Sequence, residues 1–237
     1  MHTARPIKTA LAVVAATALL TLSACGSGDD ADKDEATTTQ SEAPTEEPSA
    51  SASADAETAS GDQAAWADPV VTKGDKISTF EVGDIKVDVY QVGTAPAPKQ
   101  GSWVDPETNK PLIAKGDPLV FVNYVITNNG DAVDLGASLV SVKPRYEDWK
   151  YLQGMGGITD SALYEAQGVN SSAVKVGGYQ ESNVYTLGAG EQYSYGENFH
   201  QQPNSKITFE ATAVPVDAEG ELLHEQRMEG KGTGTIK

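Results

Sequence analysis

The stretch "LVFVNYVITNNGD", residues 119–131, decides the fold. From Leu119 to Ile126 it is apolar on both parities apart from Asn123, and Val120, Val122, Val125 and Ile126 are β-branched. Such side chains pack well on a pleated surface and lose rotamer freedom in a helix. A short run of this kind reads as a central strand covered on both faces. Asn129-Gly130 follows it, a strong turn signal at its end.

Outward from this strand the pattern is mostly period two. In "IKVDVYQV" Ile85, Val87 and Val89 share one face while Lys86 and Asp88 take the other. In "KITFEATAV" Ile207, Phe209, Ala211 and Ala213 alternate with Lys206, Thr208, Glu210 and Thr212. Both read as half-buried strands. Further candidates are Leu139 to Val142, ended by Pro144; Ser182 to Leu187; Gln192 to Phe199, with Tyr193, Tyr195 and Phe199 on one parity; and Leu222 to Met228. Gly188-Ala189-Gly190 and Asp217-Ala218-Glu219-Gly220 punctuate them as turns. "TDSALYEAQ" from Thr159 alone reads as a helix, capped by Thr159 or Asp160. The expected fold is all-β: one antiparallel β-sandwich of about 7–8 strands with one short helix, over residues 66–237.

The chain before residue 66 is of a different kind. Arg5 and Lys8 precede "TALAVVAATALLTLSA", sixteen uncharged residues from Thr9 to Ala24. That is short of the roughly 20 that a transmembrane helix needs, and no basic flank follows, so residues 1–24 read as a signal peptide. Leu22-Ser23-Ala24-Cys25 resembles a bacterial lipobox, with Leu at −3, small residues at −2 and −1, and Cys at +1. The resemblance implies a diacylglyceryl group (a palmitate-type lipid) on the Cys25 sulfur, cleavage before Cys25, and further N-acylation. Cys25 is the only cysteine of the 237 residues, so it has no disulfide partner. With about 0.8 kcal/mol per buried CH₂, two acyl chains hold a protein at a bilayer where one does not. The expected location is the extracytoplasmic face of the cell membrane, with covalent lipid at Cys25 as the contact with the bilayer.

Residues 26–65 contain no Leu, Ile, Phe or Tyr and, among charged residues, eleven acids against Lys33. This composition cannot bury enough apolar surface to offset its ordering entropy and reads as a disordered acidic tether. As a coil its 40 residues span roughly 35 Å, more when stretched by charge repulsion and by Pro44 and Pro48. The Thr37-Thr38-Thr39 and Ser49-Ala50-Ser51-Ala52-Ser53 runs fit either an O-glycosylated stalk or an unmodified spacer.

The strands "VGDIKVDVYQV", "FVNYVITNNGD" and "ITFEATAV", with the segment "LGAGEQYSYGENF", resemble the Ig-like extracellular domains of unknown function found in Gram-positive lipoproteins. The resemblance implies a sandwich and carries over no catalytic residue. The chain departs from the simple form in the Pro-rich insertion "APAPKQGSWVDPETNKP" and in the excursion from Lys150 to Gly178.

Composition excludes several functions. A formal net charge of −17 argues against nucleic acid and against anionic lipid surfaces. A hydrolytic triad needs a base, and beyond the signal peptide the chain offers His200 and His224, with no nucleophile elbow around any serine. Glu147-Asp148 is an acid pair of the sort an acidic domain supplies by chance. We expect no enzyme and no cofactor. The competing class is an envelope carrier of copper or zinc, for which the inventory is Met155, His200, His224 and Met228. Asp217, Glu219 and Glu221 lack the pattern of a calcium loop.

What remains is binding through loops, to an envelope protein or polysaccharide. Trp103 sits beside Asp105 and Glu107 among Pro96, Pro98, Pro106 and Pro111, a semi-rigid setting. Trp103 is the candidate binding residue, either an exposed platform for a sugar ring or protein, or a plug in one end of the sandwich. Trp149, Tyr151, Tyr164 and Tyr179 on the excursion divide between the same roles.

Overall fold

The computed structural model describes residues 61–237. The expected signal peptide, Cys25 and the tether up to residue 60 lie outside the described residues. Two packed sheets make an all-β sandwich. One holds, in spatial order, β1 (Asp62–Gln63), β7 (Glu191–His200), β4 (Pro118–Asn128), β3 (Ile85–Pro96) and β2 (Asp75–Val82); the other holds β6 (Tyr185–Leu187), β5 (Val133–Tyr146), β8 (Lys206–Pro215) and β9 (Met228–Thr235). Pairing is antiparallel except between β1 and β7. Among the described residues nine strands stand where seven or eight were expected: β6 falls within the expected Ser182 to Leu187 strand, whereas β1 and β2 were not expected.

β4 is central and buried on both faces, as its sequence requires. Val120, Val122, Tyr124 and Ile126 join the main core with Val87 and Val89 of β3 and Ile207, Phe209, Ala211 and Ala213 of β8. On the outer parity Leu119 and Phe121 meet Ala97, Ile113 and Ile158 in a second cluster, under the Pro-rich insertion and α1 (Ser161–Gln167). At roughly 1.5–3 kcal/mol per fully buried large apolar side chain, a strand covered twice contributes more than any edge strand. Asp160 caps α1, its carboxylate accepting from the Ala162 N–H at 3.1 Å. At the end of β4 the buried Asn128 side chain donates to the carbonyls of Asp131 (2.7 Å) and Leu187 (3.0 Å) and accepts from the Gly130 N–H (3.0 Å), tying two turns together.

Three boundaries differ from expectation. The fold begins before residue 66: Asp62 and Gln63 pair with Glu191 and Gln192, and Ala64 is fully buried. Trp66 follows in the core, its indole N–H donating to the Thr186 carbonyl at 2.8 Å. β5 does not stop at Pro144 but runs to Tyr146, because beyond Leu135 it pairs with β8 alone and a proline costs no ladder bond on a free edge. Leu222 to Met228 is not a strand: Leu222 makes one bridge to Val216, His224–Gln226 form a 3₁₀ turn, and β9 starts at Met228.

β9 was hidden by its glycines. Gly230, Gly232 and Gly234 share one face, and β2 lies directly against it. A Cβ on Gly230 would fall 2.0 Å from the Glu81 carbonyl oxygen, and one on Gly232 would fall 2.3 Å from the Phe80 ring. The bare face lets the two sheets close along the β2–β9 side, and the opposite side stays more open.

Candidate functional site

The open side is organised by β7. Alternation along "YSYGENF" puts Tyr193, Tyr195, Glu197 and Phe199 in one row facing the interior. Two of these side chains cross to the uncovered edge of β5. The Val140 N–H donates to the Tyr193 hydroxyl (2.9 Å) and the Val142 N–H to the Tyr195 hydroxyl (3.3 Å), which in turn donates to the Val140 carbonyl (3.1 Å). Pro144 has no N–H to offer, and the Tyr146 N–H points to the Met155 sulfur at 3.3 Å. The Val140 N–H and C=O and the Val142 N–H of the free edge are thereby taken by side chains, which disfavours the addition of another strand there.

Between Leu135 and Val140 the register of β5 against β8 slips, and Gly136 to Leu139 bulge outward. Leu139 takes φ +49°, a left-handed conformation uncommon for a residue with a Cβ. Such bulges and strained residues are enriched next to functional sites. Beside this one lies a cleft of about 490 Å³, lined by Leu139, Val140, Val142, Tyr185, Tyr195 and Glu197, with Tyr179, 70% exposed, also in its lining.

Glu197 is an acid in an apolar row. Its Oε2 accepts from the Tyr124 hydroxyl at 2.9 Å, and no lysine, arginine or histidine among the described residues forms an ion pair with it. Burial pushes its carboxyl up to about 7, against the opposing effect of the Tyr124 hydrogen bond. Burial also raises the Tyr124 and Tyr195 hydroxyls well above the usual range, and the Glu197 charge adds to it. The signal was present in the sequence, since Glu197 shares the parity of Tyr193, Tyr195 and Phe199.

The Trp103 insertion forms a second feature. It is a hairpin-like loop in which the Leu112 N–H donates to the Trp103 carbonyl and the Asp105 N–H to the Lys110 carbonyl, both at 2.8 Å. The Asp105 carboxylate accepts the N–H groups of Glu107 and Thr108 (2.9 Å each), the Tyr151 hydroxyl and the Lys150 ammonium (3.3 Å). The Tyr151 hydrogen bond, followed by those of the loop backbone, holds its carboxyl well below the usual carboxylate range. Arg145 fixes the other half, donating to the carbonyls of Trp149, Tyr151 and Leu152. On this braced base Trp103 is 49% exposed, followed in the chain by exposed Val104. It does not plug the sandwich.

Trp149 packs against the main core, and Tyr164 lies edge-on to Phe121 while its hydroxyl accepts from the Asn198 side chain. The residues considered for metal are not brought together. His200 ends β7, its carbonyl accepting from the Tyr146 hydroxyl, whereas His224 is exposed on the turn beyond Pro215, which pairs with the other end of β5. Met155 is buried beneath the Tyr146 N–H, and Met228 packs over Gly83. Among the described residues no group of three or more His, Cys, Asp or Glu could hold a metal ion. Asp217 instead closes its own turn by accepting from the N–H groups of Glu219 and Glu221. Cys25 lies outside the described residues. Comparison with family models, curated proteins and solved structures finds no match to this chain.

Proposed function

We propose that this chain is a lipid-anchored lipoprotein of the cell membrane's extracytoplasmic face, and that its sandwich is a non-catalytic binding module for an envelope protein or polysaccharide. The Leu22 to Cys25 box supports the anchor, and the two packed sheets are in keeping with the resemblance to Ig-like extracellular domains. The observation that carries the binding role is the half-exposed Trp103 on a loop braced by Asp105, Tyr151 and Lys150. A fixed aromatic with polar neighbours makes contact at little entropic cost.

Its position fits the role. The chain enters the sandwich beside Glu191, next to the Thr127 end of β4, while the Trp103 loop joins the Pro96 end of β3 to the Pro118 end of β4. The loop thus lies at the opposite end of β4 from the entry of residue 62 into the sheet. A photoreactive side chain at position 103, used in intact cells, should capture one wall polymer or protein that the same group at the exposed Lys231 does not. Equal capture from both positions would remove the loop as the binding surface. Labelled fatty acid should appear on the protein and be absent after Cys25→Ser, and label persisting in that variant would refute the anchor.

A further inference from the structure

The fold shows elsewhere how it satisfies a shielded acid. Asp88, 4% exposed on β3, accepts the Thr79 hydroxyl at 2.6 Å and has the Lys86 and Lys76 ammonium groups at 3.1 and 3.4 Å. Glu197 has the Tyr124 hydroxyl and no cation, although it faces the interior. A partly buried carboxylate with a single hydrogen bond is costly, and the charge missing beside it is positive. What does stand beside it is open space, the cleft under the Leu139 bulge.

We propose that this cleft binds a small organic cation, an ammonium group on an apolar body, with Glu197 as its counter-ion. The volume of about 490 Å³ suits such a ligand. Tyr185, Tyr195 and Tyr179 supply the aromatic lining, the surroundings that attract alkylammonium ions. Leu139, Val140 and Val142 supply aliphatic contact for the rest of the molecule. An overall charge of −17 raises the local concentration of cations. A divalent metal is poorly served, since the lining offers one carboxylate and otherwise only the neutral polar side chains of serine, asparagine and tyrosine, with no second acid, histidine or cysteine. A peptide strand is excluded from the β5 edge at Val140 and Val142, whose N–H groups are already taken.

The test uses the full chain in non-ionic detergent, titrated calorimetrically with choline, with butylammonium, and with 3,3-dimethylbutan-1-ol, which has the shape of choline without its charge. Choline or butylammonium should saturate one site, and the neutral alcohol should bind at least tenfold more weakly. Glu197→Gln, which keeps the shape and still accepts from Tyr124, should weaken binding of the cations at least tenfold and abolish the discrimination. Equal binding of the cation and the neutral alcohol to the unaltered chain would overturn the proposal. So would undiminished binding by the variant, or no saturation at millimolar concentrations of either cation. If the variant does not fold, the charged and neutral probes still decide on the unaltered chain. Capture through Trp103 is a separate measurement, and either result can fail without the other.

Discussion

The Tyr195 hydroxyl donates to the Val140 carbonyl at 3.1 Å, from the facing sheet, and so takes the place of a neighbouring strand. Tyr193 does the same for the Val140 N–H at 2.9 Å. Removing either hydroxyl leaves a shielded backbone group unpaired, at about 1–3 kcal/mol. Tyr193→Phe and Tyr195→Phe should each lower stability to urea by that amount, and the pair should be non-additive because both act at Val140. The double variant should also self-associate with rising concentration in sedimentation, since its edge is reopened. A stable, monomeric double variant would show that the tyrosines do not guard the edge.

Gly230→Ala should destabilise by about 1–3 kcal/mol, because the new methyl meets the Glu81 carbonyl oxygen, a backbone atom with little room to yield. Thr233→Ala, exposed on the other face of β9, should change stability by no more than about 0.5 kcal/mol. Thermal denaturation of both separates a packing role for the glycines from a general effect on β9.

Glu197 predicts a stability that falls as the medium becomes more alkaline. The folded chain holds this proton up to about pH 7, whereas the unfolded chain releases it near the ordinary 4.5. The contribution is therefore complete below about pH 4.5 and lost as pH rises through about 7. Its size is on the order of 2–3 kcal/mol, allowing for solvent in the cleft. Glu197→Gln should flatten this part of the profile and be the more stable form at pH 8. A parallel profile for the two proteins would refute the assignment.

Trp103→Ala should cost about 1 kcal/mol or less in thermal stability, against about 3–5 for a buried tryptophan. Asp105→Ala removes the carboxylate on which four donors converge. Chymotryptic cleavage after Trp103 should then be faster while the melting temperature hardly moves. An unchanged cleavage rate would mean that the brace does not hold the loop.

How much of this was legible depended on whether side-chain pattern or tertiary contact decides the element. β4 was legible because its own residues demand cover on both faces, and α1 because Asp160 and the following run carry a cap and a helical period. β9 was not: "GKGTGT" has poor strand propensity, and its glycines make sense only against β2, more than 140 residues earlier in the chain. β2 is not legible either, since the slip in its pairing between Lys76 and Ser78 interrupts the alternation along the strand. Pro144 misled for a related reason, because a free edge is a property of the sheet and not of the strand. At the candidate sites, the Trp103 loop could be read from its prolines. Glu197 stands in an apolar row in the sequence, yet the cleft beside it is lined by residues far apart in the chain, the Leu139 bulge and the 172–185 segment, which only the tertiary fold brings together.

The parallel pairing of β1 with β7 has a mechanical side. Under the proposed anchor and the proposed Trp103 contact, the chain would be pulled from opposite ends of β4, whose 11 residues extend for roughly 35 Å. The load then runs along the strands, and the bonds of the β4–β7 ladder, perpendicular to it, share it together instead of parting one by one. β1, with two paired residues, yields first. Behind it stands Trp66, its ring packed against Tyr185 and Tyr193, a peg to be drawn from the core before tension passes on to β2.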